Sequence, residues 1–248
     1  MNEQIVLKAK KIVKMYESGV FGDYAPTESI APAFSNQEDR LVYYTLPMAL
    51  NYRRPSFQLW TAAKQTFLDP ETQKSFNLQL VAQSNEGAVE LSQMLSRYKL
   101  SLQPSRHPVI WYKISRVIVE EAGSLQSLLK NVNYDYLALR DFVQVTHKKQ
   151  FPYLSGPKLF NFWCYILGEY CGVDFHNKEC IDIAVDSHIR RASNILGITT
   201  NEESQKLSPE TIAKRWRDAL SGSTIAPVDL NVPLWYWSRA NFVGAENL

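Results

Sequence analysis

The chain has 248 residues, of which 45% are hydrophobic and 21% are charged, with a formal net charge of +2. This composition excludes a disordered chain and is that of an ordinary globular protein. No apolar run approaches the roughly 18–20 residues that a membrane-spanning helix needs. The start, residues 1–16, is amphipathic but too polar for a signal peptide. We therefore expect a soluble, intracellular monomer with no membrane partner, in which any nucleic-acid-binding surface is local.

Apolar residues recur at helical spacing along nearly the whole chain, which predicts an all-α fold of about ten helices. Glycines and prolines predict a loop over residues 18–36, and Pro47 should kink the helix that contains it. Residues 72–85 alternate weakly and could form a short strand. The predicted helices span residues 3–17, 38–52, 56–68, 86–100, 107–123, 124–131, 134–148, 186–197, 208–222 and 231–243, with another from Pro157 to a connector at 172–184.

The three cysteines, Cys164, Cys171 and Cys180, include no C-x-x-C pair, so disulfides are not expected. A metal site that combined them with His176 would need ligand steps of seven and nine residues, which match no familiar spacing. Cys164 and Cys171 fall on one helix face. We therefore predict buried core thiols and no metal site.

The stretch FPYLSGPKLFNFW, residues 151–163, carries one charge, Lys158. Proline at the first helical position is a start signal, so a helix should begin at Pro157, and Gly156 allows a close approach of the backbone. With the helix at 134–148 and the turn between them, this predicts a helix-hairpin-helix, whose helix N-terminus suits phosphate.

Lys158 then lies in the first turn, where the positive end of the helix dipole and the aromatic surroundings disfavour an ammonium ion. We expect a lowered pKa for this lysine, as an amine nucleophile requires. The alternative is a solvated lysine whose stem packs on Phe162.

A second stretch, IDIAVDSHIRRASNILGI, spans residues 181–198. Asp186 precedes a predicted helix, so its simplest role is an N-cap. His188, Arg190 and Arg191 follow in the first turns, where they could bind phosphate or remain solvated.

Together, the G-P-K turn and the V-D-S-H-I-R-R helix resemble the helix-hairpin-helix DNA glycosylase superfamily. The C-terminal stretch from residue 208 to 248 and the segment around residues 38–70 are similar to the archaeal 8-oxoguanine DNA glycosylase family. Two departures stand out: Leu154 replaces the first glycine of the usual hairpin, and 28 residues separate Lys158 from Asp186, a longer step than most members have.

The resemblance implies that Lys158 and Asp186 are the catalytic pair of a DNA repair glycosylase and abasic-site lyase. It implies double-stranded DNA with an oxidised purine as partner, base excision through a lysine Schiff base and β-elimination, and no cofactor. No cysteine follows Cys180, so the iron–sulfur cluster of some members should be absent. The protein would be DNA-associated, in the cytoplasm or nucleoid.

The resemblance also assigns the binding residues. Phe162 and Trp235 would hold the flipped base, with Trp60 in the same pocket, while Asn231 stands where the family has an acid. The base-edge glutamine of the family comes from the N-terminal segment, where only Gln37 is a candidate. Contacts to DNA would come from Ser155, Gly156, His188, Arg190 and Arg191.

The implied architecture has two helical domains with a DNA groove between them. One is a helical barrel of residues 36–171 that contains the hairpin, and the other combines residues 1–35 with 172–248. Three alternatives stay open: a glycosylase of the same superfamily for another lesion, a non-catalytic helix-hairpin-helix DNA-binding protein, and a helical scaffold with no DNA role.

Overall fold

The computed structural model describes residues 3–22, 26–51 and 54–248, apart from the side chain of Asn247. These residues form fourteen α-helices and no strand, which confirms the predicted all-α class. The one extended feature within them is an isolated bridge between Asp135 and His176.

The α-helices are α1 Glu3–Glu17, α2 Gln37–Thr45, α3 Ser56–Leu68, α4 Pro70–Gln73, α5 Leu78–Gln83, α6 Val89–Arg97, α7 His107–Ala122, α8 Leu125–Asn131, α9 Tyr136–Asp141, α10 Pro157–Cys171, α11 Ser187–Leu196, α12 Asn201–Lys206, α13 Pro209–Leu220 and α14 Asn231–Arg239. Short 3₁₀ turns lie at Thr27–Ser29, Met48–Leu50, Lys74–Phe76, Lys178–Cys180, Pro227–Leu230 and Ala245–Asn247, and a π-helical turn at Phe142–Thr146.

The chain divides into two compact units, Met1–Tyr24 with Asn177–Leu248, and Ala25–His176. The sequence-based boundaries, 1–35 with 172–248 and 36–171, place residues 26–35 and 172–176 with the smaller unit instead. Residues 26–35 pack on α2 of the larger unit: the hydroxyl of Tyr44 donates to the carbonyl of Glu28 at 3.1 Å, and that of Tyr43 to the carbonyl of Ile30 at 2.9 Å. At the other boundary, the backbone of His176 bonds to that of Tyr134 and Tyr136 in the larger unit.

Aromatic side chains fill the core of the larger unit. Tyr43, Phe67 and Phe76 lie edge to face or stacked at centroid distances of 5.1–6.0 Å. The buried indole N–H of Trp111 donates to the carbonyl of Ser75 at 2.7 Å, and that of Trp163 to the hydroxyl of Thr45 at 2.9 Å. The second bond ties α10 to α2, so the helix that carries Lys158 is anchored in the core.

The core of the smaller unit is built from α1, α11, α13 and α14. Ile5, Ala9 and Ile12 of α1 are buried in it, as are Trp216 and Trp237. The indole of Trp216 donates to the hydroxyl of Ser193 at 2.8 Å, which links α13 to α11. This packing fixes α11 and α14 side by side and sets the position of the α11 start.

Three predicted elements differ from the structure. Helix α2 ends at Thr45 instead of kinking at Pro47. Leu46 and Pro47 keep helical backbone angles, but Pro47 has no N–H to extend the α-helical hydrogen bonds, and the chain continues as a 3₁₀ turn. Residues 72–76 and 78–83, part of the stretch that could have formed a short strand, are helical, and the side chain of Asn77 caps α5 by accepting the N–H of Leu80. The helix predicted over 134–148 is α9 followed by the π-helical turn.

Candidate active-site surfaces

A tight turn precedes α10. The N–H of Ser155 donates to the carbonyl of Phe151, and the N–H of Gly156 to that of Tyr153, both at 2.9 Å. A side chain at position 156 would place its Cβ 3.0 Å from the Tyr153 carbonyl oxygen, so glycine relieves crowding in the turn. Tyr153 itself has a left-handed φ of 63°.

Helix α10 begins at Pro157, as predicted, and Lys158 is its second residue. No side chain caps this helix start. Within the described part of its unit, neither the N–H of Lys158 nor that of Leu159 has an acceptor, and the exposed Lys158 amine has no hydrogen bond or ion pair. The positive end of α10 therefore carries unneutralised donors beside a solvent-facing amine.

The first turns of α10 are held rigidly from the buried side. Asn161 accepts a hydrogen bond from the hydroxyl of Tyr136 at 2.7 Å and donates to the carbonyl of Pro157 at 2.8 Å. Phe162 is partly exposed and stacks on Tyr165, with ring centroids 5.7 Å apart and planes 13° apart. Lys158 and Phe162 are one turn apart on α10 and therefore share a face of the helix.

Trp60 lies in the core of the larger unit instead of on this surface. It has no solvent exposure and packs on Tyr43 and Tyr44, with ring centroids 5.7 and 5.4 Å away. Its indole N–H makes only a weak hydrogen bond, to the carboxyl of Glu28. Gln37, the candidate base-edge residue, donates its amide to the carbonyl of Cys171 at 2.6 Å.

A residue that sequence reasoning missed, Glu28, is buried beside the Trp60 indole. Burial raises the pKa of the Glu28 carboxyl, and hydrogen bonding from its own backbone N–H, the Thr27 hydroxyl and the Trp60 indole opposes the rise. The available signal was a lone acid between Pro26 and Pro32, in a segment that otherwise reads as an uncharged loop.

In the smaller unit, Asp186 is the N-cap of α11. Its Oδ1 accepts the N–H of His188 at 2.8 Å and that of Ile189 at 2.9 Å, which confirms the simplest prediction for this residue. The other oxygen, Oδ2, has no hydrogen bond within the described part of the unit. Asp186 is partly exposed, so this oxygen remains open to a ligand.

His188 is held by two neighbours. Nη2 of Arg191 lies 3.2 Å, and Oγ of Ser238 3.0 Å, from its Nδ1. Because a guanidinium can only donate, we assign Nδ1 as the acceptor and Nε2 as the protonated nitrogen. Partial burial lowers the pKa of His188, Asp186 opposes this, and Arg191 and Arg239 add to it. His188 is thus a neutral imidazole at pH 7 with an Nε2–H to donate.

The two adjacent arginines have different roles. The Nη1 group of Arg190 donates to the carbonyls of Ser204 and Leu207 at 2.8 and 2.9 Å, and so closes the C-terminal end of α12. Arg191 is exposed, and its guanidinium lies 5.8 Å from the centroid of the Phe242 ring. Arg190 thus uses its Nη1 donors within the fold, whereas Arg191 lies exposed beside the α11 start.

Trp235 and Asn231 lie on α14 beside this helix start. The partly exposed Trp235 ring is 5.5 Å from the His188 ring, and Arg239 lies 5.0 Å from its centroid. Asn231 is 6% exposed; its Oδ1 accepts the N–H of Ala184 at 2.8 Å, and its Nδ2 is buried with no partner in the described residues. An unpaired buried amide donor is costly, which makes it a candidate contact for a ligand acceptor.

The site residues therefore fall into two groups, each described within its own unit. The larger unit brings Ser155, Gly156, Lys158 and Phe162 to one surface and leaves Trp60 in the core. The smaller unit brings together Asp186, His188, Arg191, Trp235 and Asn231.

Other features of the described residues lie away from these groups. Cavities of about 520 and 580 Å³ in the larger unit and about 340 Å³ in the smaller have no predicted site residue in their walls. Among the described residues there is no cluster of three or more metal-ligating side chains, and no helix is long and apolar enough to span a membrane. The cysteines are free, and Cys164 and Cys171 are buried as predicted, while Cys180 is partly exposed.

Comparison of the chain with models of protein families, with curated proteins and with solved structures found no significant match.

Proposed function

We propose that this protein is a DNA repair N-glycosylase and abasic-site lyase that removes 8-oxoguanine through a Schiff base on Lys158. The observation that carries the proposal is the start of α10. An exposed amine with no ion pair in the described part of its unit stands there beside free backbone donors, one turn before the partly exposed Phe162. Free N–H donors at a helix start suit a phosphate, and an exposed amine beside them is open to attack the sugar of a bound nucleotide.

In the proposed reaction, the neutral Nζ of Lys158 attacks C1′ of the damaged nucleotide. The glycosidic bond breaks, and the base leaves with the electron pair and takes up a proton. The Asp186 side chain stabilises the positive charge that develops on the sugar, and its Oδ2 is available for this contact. The C1′–O4′ bond then opens as the lysine nitrogen forms an iminium with C1′, and O4′ takes up a proton from water. Loss of a proton from C2′ of this iminium expels the 3′ phosphate by β-elimination.

Binding of DNA rests on the same surfaces. We interpret α9, the turn and α10 as a helix-hairpin-helix, in which the N–H groups at the α10 start and the Ser155–Gly156 turn hold a backbone phosphate. In the smaller unit, the exposed Arg191 and the Nε2–H of His188 supply further donors. Phe162 and Trp235 are the rings that would stack on the extruded base.

A second candidate is a glycosylase of the same chemistry with another lesion as substrate. Asn231 favours it, because a neutral amide replaces the acid that the resemblance leads us to expect. Its unpaired Nδ2 donates, whereas a carboxylate could only accept. A base that offers an acceptor at that point would fit the amide better than one that offers an N–H.

The test is single-turnover release of bases and strand cleavage on duplexes that each carry one 8-oxoguanine, one other oxidised base, one abasic site or no lesion. We expect release from the 8-oxoguanine duplex, with cleavage that needs no alkali. Release from another lesion alone would select the second candidate. Neither release nor abasic-site cleavage on any duplex would contradict the proposal.

The variant Asn231→Asp separates the two candidates further. If the protein acts on 8-oxoguanine in spite of its amide, the acid should preserve or raise the rate on that base. If the amide selects another lesion, Asn231→Asp should lower the rate on that lesion and raise it on 8-oxoguanine.

A further inference from the structure

A cation and an aromatic ring join two separate segments of the larger unit beside the turn that precedes α10. The guanidinium of Arg106, at the start of α7, lies 4.7 Å from the centroid of the Tyr153 ring. Tyr153 belongs to the turn and takes a left-handed φ of 63°. The loop before α7 and the turn before α10 are thereby held together through this contact.

The charge of Arg106 is not neutralised within the described part of the chain. The side chain is exposed, and no carboxylate of the described residues lies within ion-pair distance. A guanidinium that stacks by its face keeps the N–H donors at its edge free. Those donors suit the oxygens of a phosphodiester, which a planar fork can bind in pairs.

The two segments that meet at this contact contain no acid. Residues 91–119 and 142–168 include neither Asp nor Glu, although they carry eight Lys and Arg residues in all. Some of these cations are paired with acids from elsewhere, as Arg97 is with Asp69 at 3.3 Å. Lys99, Lys148 and Lys149 are exposed with no such pair in the described residues, so these two segments carry an excess of positive charge.

We propose that Arg106, held over Tyr153, binds a backbone phosphate of duplex DNA next to the one at the α10 start. This assignment rests on the proposed function and extends its DNA-binding surface beyond the predicted hairpin to the loop before α7. The tyrosine ring pre-organises the guanidinium, which lowers the cost of fixing a long side chain on binding.

The chain offers a matched control for this role. Arg97 also lies near a tyrosine ring, that of Tyr98 at 5.9 Å, in the same unit, but its charge is already paired with Asp69. A variant of Arg97 therefore removes the same kind of group without removing a free cation.

The experiment measures affinity for an undamaged duplex of about two helical turns as a function of NaCl concentration. Neutralising a phosphate-binding cation lowers the slope of log K against log salt by about 0.9 in magnitude. We expect Arg106→Gln to show that change and to bind about fivefold more weakly near 0.1 M salt, whereas Arg97→Gln keeps the wild-type slope. Tyr153→Phe should keep the slope as well, because the ring remains.

If Arg106→Gln shows the same slope as the wild-type protein, the assignment is overturned. The contact between Arg106 and Tyr153 then only stabilises the turn. If Arg106→Gln lacks a cooperative thermal transition, Arg106→Lys takes its place: it retains the charge, so the slope should persist while affinity falls about twofold to threefold. Equal affinity of Arg106→Lys and wild type would then overturn it. A wild-type protein that binds no duplex overturns both the assignment and the proposed function, whereas duplex binding with an indifferent Arg106 overturns the assignment alone.

Discussion

The starts of α10 and α11 differ in how their backbone N–H donors are treated. At α11, the carboxylate of Asp186 accepts two N–H groups and its negative charge complements the helix dipole. At α10, Gly156 provides no cap and Lys158 adds a cation at the positive end. The first arrangement stabilises the fold; the second gives up that stabilisation and leaves donors open.

The start of a third helix, α7, shows how burial changes the pKa of a basic side chain at a helix N-terminus. His107 is the first residue of α7 and is 4% exposed. Burial lowers its pKa to about 4, with smaller contributions from Arg54 and Arg106, and its Nδ1 accepts the N–H of Leu102 at 3.2 Å. His107 is therefore neutral and internally paired, whereas the exposed Lys158 has no partner in the described part of its unit. The comparison teaches that a base at a helix start can have a purely structural role when it is buried and hydrogen-bonded. Lys158 is neither buried nor hydrogen-bonded within the described part of its unit.

The largest expected effect separates the two possible roles of Asp186. Asn is as good an N-cap as Asp, so Asp186→Asn should leave the free energy of unfolding nearly unchanged, while Asp186→Ala should lower it by about 1 kcal/mol. Both should reduce single-turnover base release about 100-fold or more, because each removes the charge that stabilises the sugar cation. Denaturant unfolding and base-release rates measure the two effects. Wild-type activity in Asp186→Asn would mean that Asp186 serves only as the N-cap of α11.

The next effect concerns the buried His107. Its folded pKa of about 4 lies below the unfolded value, so the unfolded state binds the extra proton first as the pH falls. The free energy of unfolding is therefore highest, as far as His107 is concerned, above about pH 6.5. It falls by about 3 kcal/mol in total between there and about pH 4. Urea unfolding at pH 7 and pH 4.5 should show a smaller pH dependence in His107→Gln than in wild type. The exposed His176→Gln serves as control, and equal pH dependence in all three proteins would be incompatible with this explanation.

The smallest effect tests the tight turn. Gly156→Ala would place a Cβ 3.0 Å from the Tyr153 carbonyl and should cost about 1 kcal/mol of stability, with weaker binding to an abasic-site duplex. Gly168→Ala on the same helix meets only an ordinary contact at 3.6 Å and should be neutral or stabilising by about 0.5 to 1 kcal/mol. Thermal unfolding and duplex titration of the pair give the comparison. Two equally tolerated alanines would mean that the turn does not need its glycine.

Sequence periodicity and capping signals predicted much of the fold. The bounds of α1 and α3 agree with the predicted 3–17 and 56–68, and Pro157 and Asp186 marked the starts of α10 and α11. Short helices were missed. One is α12, which begins with a Thr200–Glu203 capping box but has too few residues to show a helical period.

The candidate site was predictable only where local sequence places it. The shared helix face of Lys158 and Phe162 follows from their spacing on α10. Two other features depend on contacts between distant segments. Arg190 donates to carbonyls at the end of α12, and Glu28 is buried beside Trp60. Adjacent arginines look alike in a sequence, and only tertiary packing decides which of them bonds to distant backbone carbonyls.

The central claim is that Lys158 is an amine nucleophile, and borohydride trapping tests it most directly. The protein is mixed with a duplex that carries one 8-oxoguanine, or one abasic site, and borohydride reduces any Schiff base to a stable amine. The account predicts a covalent protein–DNA band that is absent in Lys158→Gln and present in Lys74→Gln, a variant of another exposed lysine of the same unit. A band that persists in Lys158→Gln, or no band from wild type on either duplex, would contradict it.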